Sequence, residues 1–182
     1  MAGLYLLTFK NYKMKKVVLL LFVACVTLTA NAQFYVGGST SLWYNGASDE
    51  TTFTLLPEVG YVFSDKWSFG AEVGYTHYGN TNGIVLGPYA RFTYFKKGMI
   101  GLFVDGAIDY AWSKGQYGNG INGLQIGVKP GLALSLNDKF SLVTKFGFLG
   151  FRNDYIPAGQ LGNGGGFDFS GNSLSLGFYY SF

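Results

Sequence analysis

From Phe34 onward, apolar residues alternate with small or polar ones almost without pause. The stretch Gly123–Leu136 shows the rule. Leu124, Ile126, Val128, Pro130, Leu132, Leu134 and Leu136 share one face, and Gly123, Gln125, Gly127, Lys129, Gly131, Ala133 and Ser135 share the other. A period of two is the signature of a strand, whose side chains point to opposite sides in turn. Eight segments follow it: Phe34–Tyr44, Phe53–Phe63, Trp67–Tyr78, Ile84–Phe95, Met99–Trp112, Gly123–Leu136, Phe140–Arg152 and Phe167–Phe182. Each is about as long as a tilted membrane-crossing strand, or slightly longer.

The connections alternate in length. Ser64-Asp65-Lys66, Lys96-Lys97-Gly98 and Asn137-Asp138-Lys139 are tight turns. Asn45–Thr52, Gly79–Gly83, Ser113–Asn122 and Asn153–Gly166 are longer and rich in Gly and Asn. Short turns on one side and long loops on the other are the plan of an outer-membrane barrel, with the turns in the periplasm. An even number of strands returns both ends of the chain to the turn side.

The faces carry the same message. In the fifth segment Ile100, Leu102, Val104, Ile108, Tyr110 and Trp112 oppose Gly101, Phe103, Asp105, Ala107, Asp109 and Ala111. A soluble sheet would put its greasy face inward and a dense array of charge outside. Here charged residues are only 13% of the chain, aromatics 19%, and 28 residues are Gly. Soluble domains carry about 25% charge, so hydrocarbon is the natural neighbour of the greasy face. A sheet in lipid has to close on itself to pair every strand. Eight strands make a barrel whose interior is just filled by side chains.

Projected onto these faces, Glu58, Glu72, Arg91, Asp105, Asp109, Lys129 and Lys145 all point inward. The exception is Arg152, which strict alternation puts on the lipid face at the outer end of the seventh strand. A Lys or Arg facing lipid at mid-bilayer costs roughly 2–4 kcal/mol, so the segregation is physically required. Four acids and three bases predict an interlocked polar plug. Aromatics gather at strand ends: Tyr44, Phe53, Tyr75, Tyr110 and Trp112 toward the loops, and Phe34, Phe63, Trp67, Tyr94, Phe140 and Phe182 toward the turns. Such girdles anchor a barrel vertically. Pro57, Pro88 and Pro130 sit inside strands, where each removes a ladder donor, so bulges or irregular pairing are expected there.

The N-terminus reads as an export signal. Lys15 and Lys16 follow Met14, Val17–Leu28 is apolar, and Ala30-Asn31-Ala32 is a small-x-small site that places cleavage before Gln33. The expected division is 1–32 as an N-terminal extension plus signal, starting functionally at Met14, and 33–182 as the barrel domain. Four of the thirteen basic residues (Lys10, Lys13, Lys15, Lys16) precede Gln33 and none of the ten acids does, so the mature chain carries nine bases and ten acids. Nothing in that balance suggests nucleic acid. Phe22-Val23-Ala24-Cys25 faintly resembles a lipoprotein box, with Phe22 where Leu is usual. Cys25 is the only cysteine and lies within the signal. A mature chain without cysteine has no disulfide or Cys-ligated metal, and no cofactor is expected.

The proline-bearing stretches LLPEVGYVFSDKWSFGAEVGY, LGPYARFTYF and VKPGLALSLNDKFSL resemble the outer-membrane β-barrel domain family of Gram-negative bacteria. That family is often labelled porin-like and is broadly similar to OmpX and OmpA barrels. The likeness spans essentially the whole mature chain. It implies an all-β, eight-stranded antiparallel up-and-down barrel in the cell outer membrane, and supplies no catalytic residue. The final strand, with Leu176, Phe178, Tyr180 and Phe182 at alternate positions, resembles the signal read by the outer-membrane insertion machinery.

Three functions are compatible with such a barrel. The first is a structural or surface-interaction scaffold, with outer-membrane lipid or lipopolysaccharide around it and an extracellular ligand met through the loops. In the longest loop, Tyr155, Ile156 and Pro157 offer a small apolar contact. The second is a narrow channel for small solutes or ions. The third, a membrane-embedded lipid hydrolase, would need a histidine held against a hydroxyl. The one histidine, His77, reads more simply as an interfacial residue, so no enzyme is expected.

Overall fold

The computed structural model describes residues 34–45, 50–78, 81–114, 120–155, 163–169 and 174–182. The cleavage residues Ala30, Ala32 and Gln33, and the loop residues Ile156 and Pro157, lie outside them. Ten strands are present: β1 (Phe34–Asn45), β2 (Glu50–Val62), β3 (Trp67–Tyr78), β4 (Thr81–Lys97), β5 (Ile100–Lys114), β6 (Gly120–Ser135), β7 (Phe140–Lys145), β8 (Phe148–Asn153), β9 (Asn163–Asp168) and β10 (Ser175–Ser181).

They form a closed antiparallel barrel of eight staves. β1 to β6 are each one stave and pair in sequence. β7 and β8 are the lower and upper halves of the seventh, both paired to β6. β9 and β10 are the halves of the eighth. β9 pairs with β8, and β10 joins β7 to β1 and closes the wall. Phe182 donates its backbone N–H to the Phe34 carbonyl at 3.0 Å, so the end of the chain is tied to the start of the first strand.

The tight turns follow from their side chains. Ser64 Oγ accepts from the Trp67 N–H at 3.1 Å. Asn137 Oδ1 accepts from the N–H groups of Lys139 and Phe140, both at 2.9 Å. Short oxygen-bearing side chains replace the missing backbone partners at a reversal. At the middle turn the chain needs Gly98 at φ +57°, a left-handed conformation that costs glycine little.

Two continuous strands expected from the alternation are in fact broken. The seventh breaks after Lys145, where Gly147 adopts φ +85°. The pairing of β6 then shifts by one residue: Gly131 faces Lys145 below the break, and Val128 faces Leu149 above it. One inserted residue reverses which side chains face inward. Phe148 and Arg152 consequently turn into the barrel, with Leu149 and Phe151 exposed. The eighth stave is likewise formed of two strands, β9 against β8 and β10 against β7.

The three prolines stand at breaks in the ladder, each toward one neighbour only. β1 pairs with β2 without interruption through Pro57, whereas β2 and β3 skip from Leu55↔Tyr75 to Glu58↔Glu72. β3 pairs continuously through Pro88, whereas β4 and β5 skip from Leu86↔Tyr110 to Tyr89↔Ala107. β5 pairs through Pro130, and on the other side β6 changes partner from β7 to β8 at that height. Each proline thus aims its missing donor at the strand across a tight turn. The loop-connected pairs β1–β2, β3–β4 and β5–β6 keep unbroken ladders.

The outer wall is apolar. Val73, Ile84, Leu86, Ile108, Ile126, Leu149, Leu176 and Phe178 are each about half exposed. The buried residues lie inside the barrel. On the turn side Tyr35, Tyr89, Phe103, Ala107, Val143 and Tyr179 form one cluster, and toward the loops Val85, Ala111 and Tyr155 form another. These rings fit because glycines face them. A Cβ on Gly131 would stand 2.2 Å from the Phe103 ring, and one on Gly60 would stand 2.2 Å from that of Tyr35.

Candidate functional site

The inward positions of six of the eight staves converge on one polar network. Glu58 comes from β2, Glu72 from β3, Arg91 from β4, Asp105 and Asp109 from β5, Lys129 from β6 and Lys145 from β7. Lys145 is its hub. Its Nζ lies 2.8 Å from Glu58 Oε1, 3.4 Å from Glu72 Oε2 and 3.6 Å from Asp105 Oδ2. One ammonium from the seventh stave thereby reaches carboxylates on the second, third and fifth. Lys129 Nζ bridges Asp109 Oδ2 at 2.6 Å and Glu72 Oε1 at 3.2 Å. Arg91 forks onto Asp105, Nε to Oδ1 at 2.6 Å and Nη2 to Oδ2 at 2.8 Å. The two-pronged match of guanidinium to carboxylate gives this pair directional as well as electrostatic strength.

Alternation alone brings these seven together, but the network is larger. Tyr179, on β10, donates to Glu58 Oε2 at 2.5 Å and accepts from Arg91 Nη2 at 3.1 Å. Tyr35 and Tyr89 join hydroxyls at 2.7 Å. The Arg91 guanidinium lies 3.9 Å from the Phe103 ring centroid, so a desolvated cation gains an aromatic face. Gln125 donates to Asp109 Oδ2 at 2.6 Å and accepts from Arg152 Nε at 2.6 Å. Arg152 goes on to Asp168 at 3.0 Å and covers the Phe148 ring at 4.1 Å. Tyr179, Tyr35, Tyr89 and Gln125 share the parity of the charged residues, so projecting hydroxyls and amides as well as charges finds them. Arg152 and Asp168 escape that projection because their staves are broken.

Arg152 therefore corrects the expectation of a lipid-facing arginine: it is 7% exposed and points inward. Tyr155 corrects another. It is not an exposed loop contact but a buried ring packed with Val85 and Ala111. The filling now counts five acids (Glu58, Glu72, Asp105, Asp109, Asp168) and four bases (Arg91, Lys129, Lys145, Arg152). Near-neutrality is what a low-dielectric interior demands, because an unpaired buried charge is very costly.

This filling separates two cavities. The turn-side one, about 220 Å³, is lined by Tyr35, Arg91, Phe103 and Tyr179 among others. The loop-side one, about 100 Å³, is lined by Gln125, Lys129, Lys145, Arg152 and Tyr155 among others. They have no lining residue in common. His77 is placed away from this network: its Nδ1 meets Asn82 Oδ1 at 2.7 Å, where Tyr75 also donates, at 2.5 Å. Among the described residues, no three His, Cys, Asp or Glu side chains cluster as metal ligands would. On β10, Leu176, Phe178, Tyr180 and the adjoining Phe182 take the outward positions, and the Phe140 ring packs on Phe178 and Tyr180 at 5.3 and 5.1 Å.

A closed eight-stranded wall, greasy outside and packed with paired charges inside, defines the class: a small filled barrel of the outer-membrane type. Solved structures agree. The N-terminal β-barrel domain of Pseudomonas aeruginosa OprF superposes with a TM-score of 0.59 at 12% sequence identity, over 84% of this chain and 98% of that one. Neisserial surface protein A (NspA) superposes with a TM-score of 0.51 at 16% identity, over 82% of this chain and 97% of that one. Both are outer-membrane eight-stranded barrels, and at these identities the likeness is one of fold. No protein-family model matches the sequence. A comparison with curated proteins finds no match either.

Proposed function

We propose that this chain is an integral outer-membrane barrel that serves as a rigid, non-conducting scaffold. It is exported by the signal ending at Ala32 and presents its loops to an extracellular partner. The observation that carries this reading is the span of Lys145, whose single ammonium ties the seventh stave to the second, third and fifth. Hydrated ions have to part those pairs to pass, and removing one partner of a buried ion pair costs about 3–5 kcal/mol. Outer-membrane lipid and lipopolysaccharide surround the wall in this reading. The outward aromatics of β10 are what the insertion machinery meets. No chemistry is assigned to the site, since His77 faces an amide rather than a nucleophilic hydroxyl.

Planar-bilayer recording of the purified protein tests the reading. Silence at moderate voltage is the expected result, and steady unitary currents would instead establish the channel. Mass spectrometry of the membrane-extracted chain checks the export half, with Gln33 expected as the first residue.

A further inference from the structure

Near its loop end the outer face of β3 to β5 turns from apolar to polar in two rows. In the upper row Asn82 stands directly opposite His77 on β3 and directly opposite Lys114 on β5. All three point outward, since the neighbouring Thr76, Gly83 and Ser113 are buried inside. In the row below, Ile84 pairs in the same way with Tyr75 and Trp112, and these three are each about half exposed. Val73 and Leu86 continue the wall below them as plain hydrocarbon contacts.

Hydrogen bonds organise the upper row. Tyr75 donates its O–H to Asn82 Oδ1 at 2.5 Å, and His77 Nδ1 donates to the same oxygen at 2.7 Å. Two donors on one oxygen set the orientation of the amide and leave its Nδ2 hydrogens free to bond elsewhere. Trp112 supplies a further donor. A Cβ on Gly120, the residue opposite Lys114, would stand 3.4 Å from Trp112 Nε1, so the indole N–H is turned toward the loop end beside Lys114.

Lys114 is exposed and has no ion-pair partner among the described residues. It is also the one charge that alternation puts outward at the loop ends of β2 to β6 among those residues, with no outward acid beside it. An ammonium, an indole N–H and an amide NH₂ therefore share one face, all of them donors. Their height is that of the aromatic girdle, where lipid headgroups lie. Phosphate oxygens are the strong acceptors at that level, and a charge-assisted bond to one is roughly twice as strong as a neutral bond.

We propose that this face of β3 to β5 holds a phosphate of one lipopolysaccharide molecule, with Lys114, Trp112 and Asn82 as donors and with Tyr75 and His77 positioning the Asn82 amide. The proposal rests on the outer-membrane placement of the preceding reading, in which the loop ends meet the outer leaflet, and it specifies one contact of the surrounding lipid. It does not depend on the sealed lumen. Unitary currents would therefore unseat the non-conducting scaffold and leave this site standing, whereas loss of the lipid preference would do the reverse.

Native mass spectrometry of the detergent-purified chain tests the site. The probes, added in turn, are diphosphorylated lipid A, its fully dephosphorylated form, phosphatidylglycerol and inorganic phosphate. One retained diphosphorylated lipid A per chain is expected, with the dephosphorylated form and phosphatidylglycerol each retained about tenfold less and no phosphate adduct. Lys114→Gln should lower lipid A retention by about tenfold and Asn82→Ala by about threefold. Lys97→Gln, at the turn end of β4, should leave it unchanged. Equal retention of phosphorylated and dephosphorylated lipid A overturns the proposal, because the face is then an ordinary apolar lipid contact. Equal retention of phosphatidylglycerol overturns it as a general anionic-lipid surface, and a phosphate adduct of equal strength overturns it as a free-anion site. So does an equal loss in Lys97→Gln, or undiminished retention by a Lys114→Gln protein that keeps the heat-dependent gel shift of a folded barrel. The comparison of lipids needs no variant, so it decides even where a variant fails to fold.

Discussion

The barrel has a continuous side and a broken side. β2 to β6 run their whole length as single strands, 12 to 17 residues each. The last two staves are each two short pieces of six or seven residues. On the continuous side, apart from a one-residue bulge between Thr93 and Phe95 at the turn end of β4, a residue's parity alone tells which solvent it meets. On the broken side one left-handed glycine, Gly147, resets the count, and Arg152 is carried from the lipid face to the lumen. The difference shows what the breaks accomplish. A straight seventh strand would leave Gln125 and Asp168 without their guanidinium and put a cation against hydrocarbon.

The comparison can be broken most forcefully at its centre. Lys145→Met leaves Glu58, Glu72 and Asp105 short of a cation and should cost about 3–5 kcal/mol. Equilibrium denaturant unfolding in lipid vesicles measures it, and a loss below about 1 kcal/mol would show that the hub is dispensable. Next in size are charges placed on the outer wall. Val73→Arg on the continuous side should cost up to about 2–4 kcal/mol, and Phe151→Arg, nearer the loop end of the broken side, should cost less but remain unfavourable. A neutral or stabilising Phe151→Arg would mean that the stave keeps its parity and that Arg152 faces lipid. The smallest effect belongs to the hinge. Gly147→Ala forces a side chain into the left-handed region and should cost about 1–2 kcal/mol without abolishing the heat-dependent gel shift. An unchanged stability would relocate the break.

Most of the wall was legible in the sequence because hydrocarbon enforces alternation strictly. The strand count, the turn positions and the inward side of Glu58, Glu72, Arg91, Asp105, Asp109, Lys129 and Lys145 all follow from period two. So did the irregularity at Pro57, Pro88 and Pro130, since a missing donor has to fall somewhere. What period two cannot show is an insertion. The stretch Lys145–Arg152 reads equally well as one strand or as two with a bulge, because Phe146, Phe148 and Phe151 suit either face. Nor does alternation show who pairs with whom across the lumen. That Lys145 reaches Glu58, Glu72 and Asp105 depends on barrel diameter and stagger, which only the closed wall supplies.

The placement of the prolines has a mechanical corollary. Joints between strands alternate around most of the circumference: sound across β1–β2, β3–β4 and β5–β6, and notched across β2–β3, β4–β5 and β6–β7. Pulled from one end by force spectroscopy, such a cylinder should part at the notches. It would then unravel in the strand pairs β1–β2, β3–β4 and β5–β6, joined at the loop end, instead of in the hairpins β2–β3, β4–β5 and β6–β7.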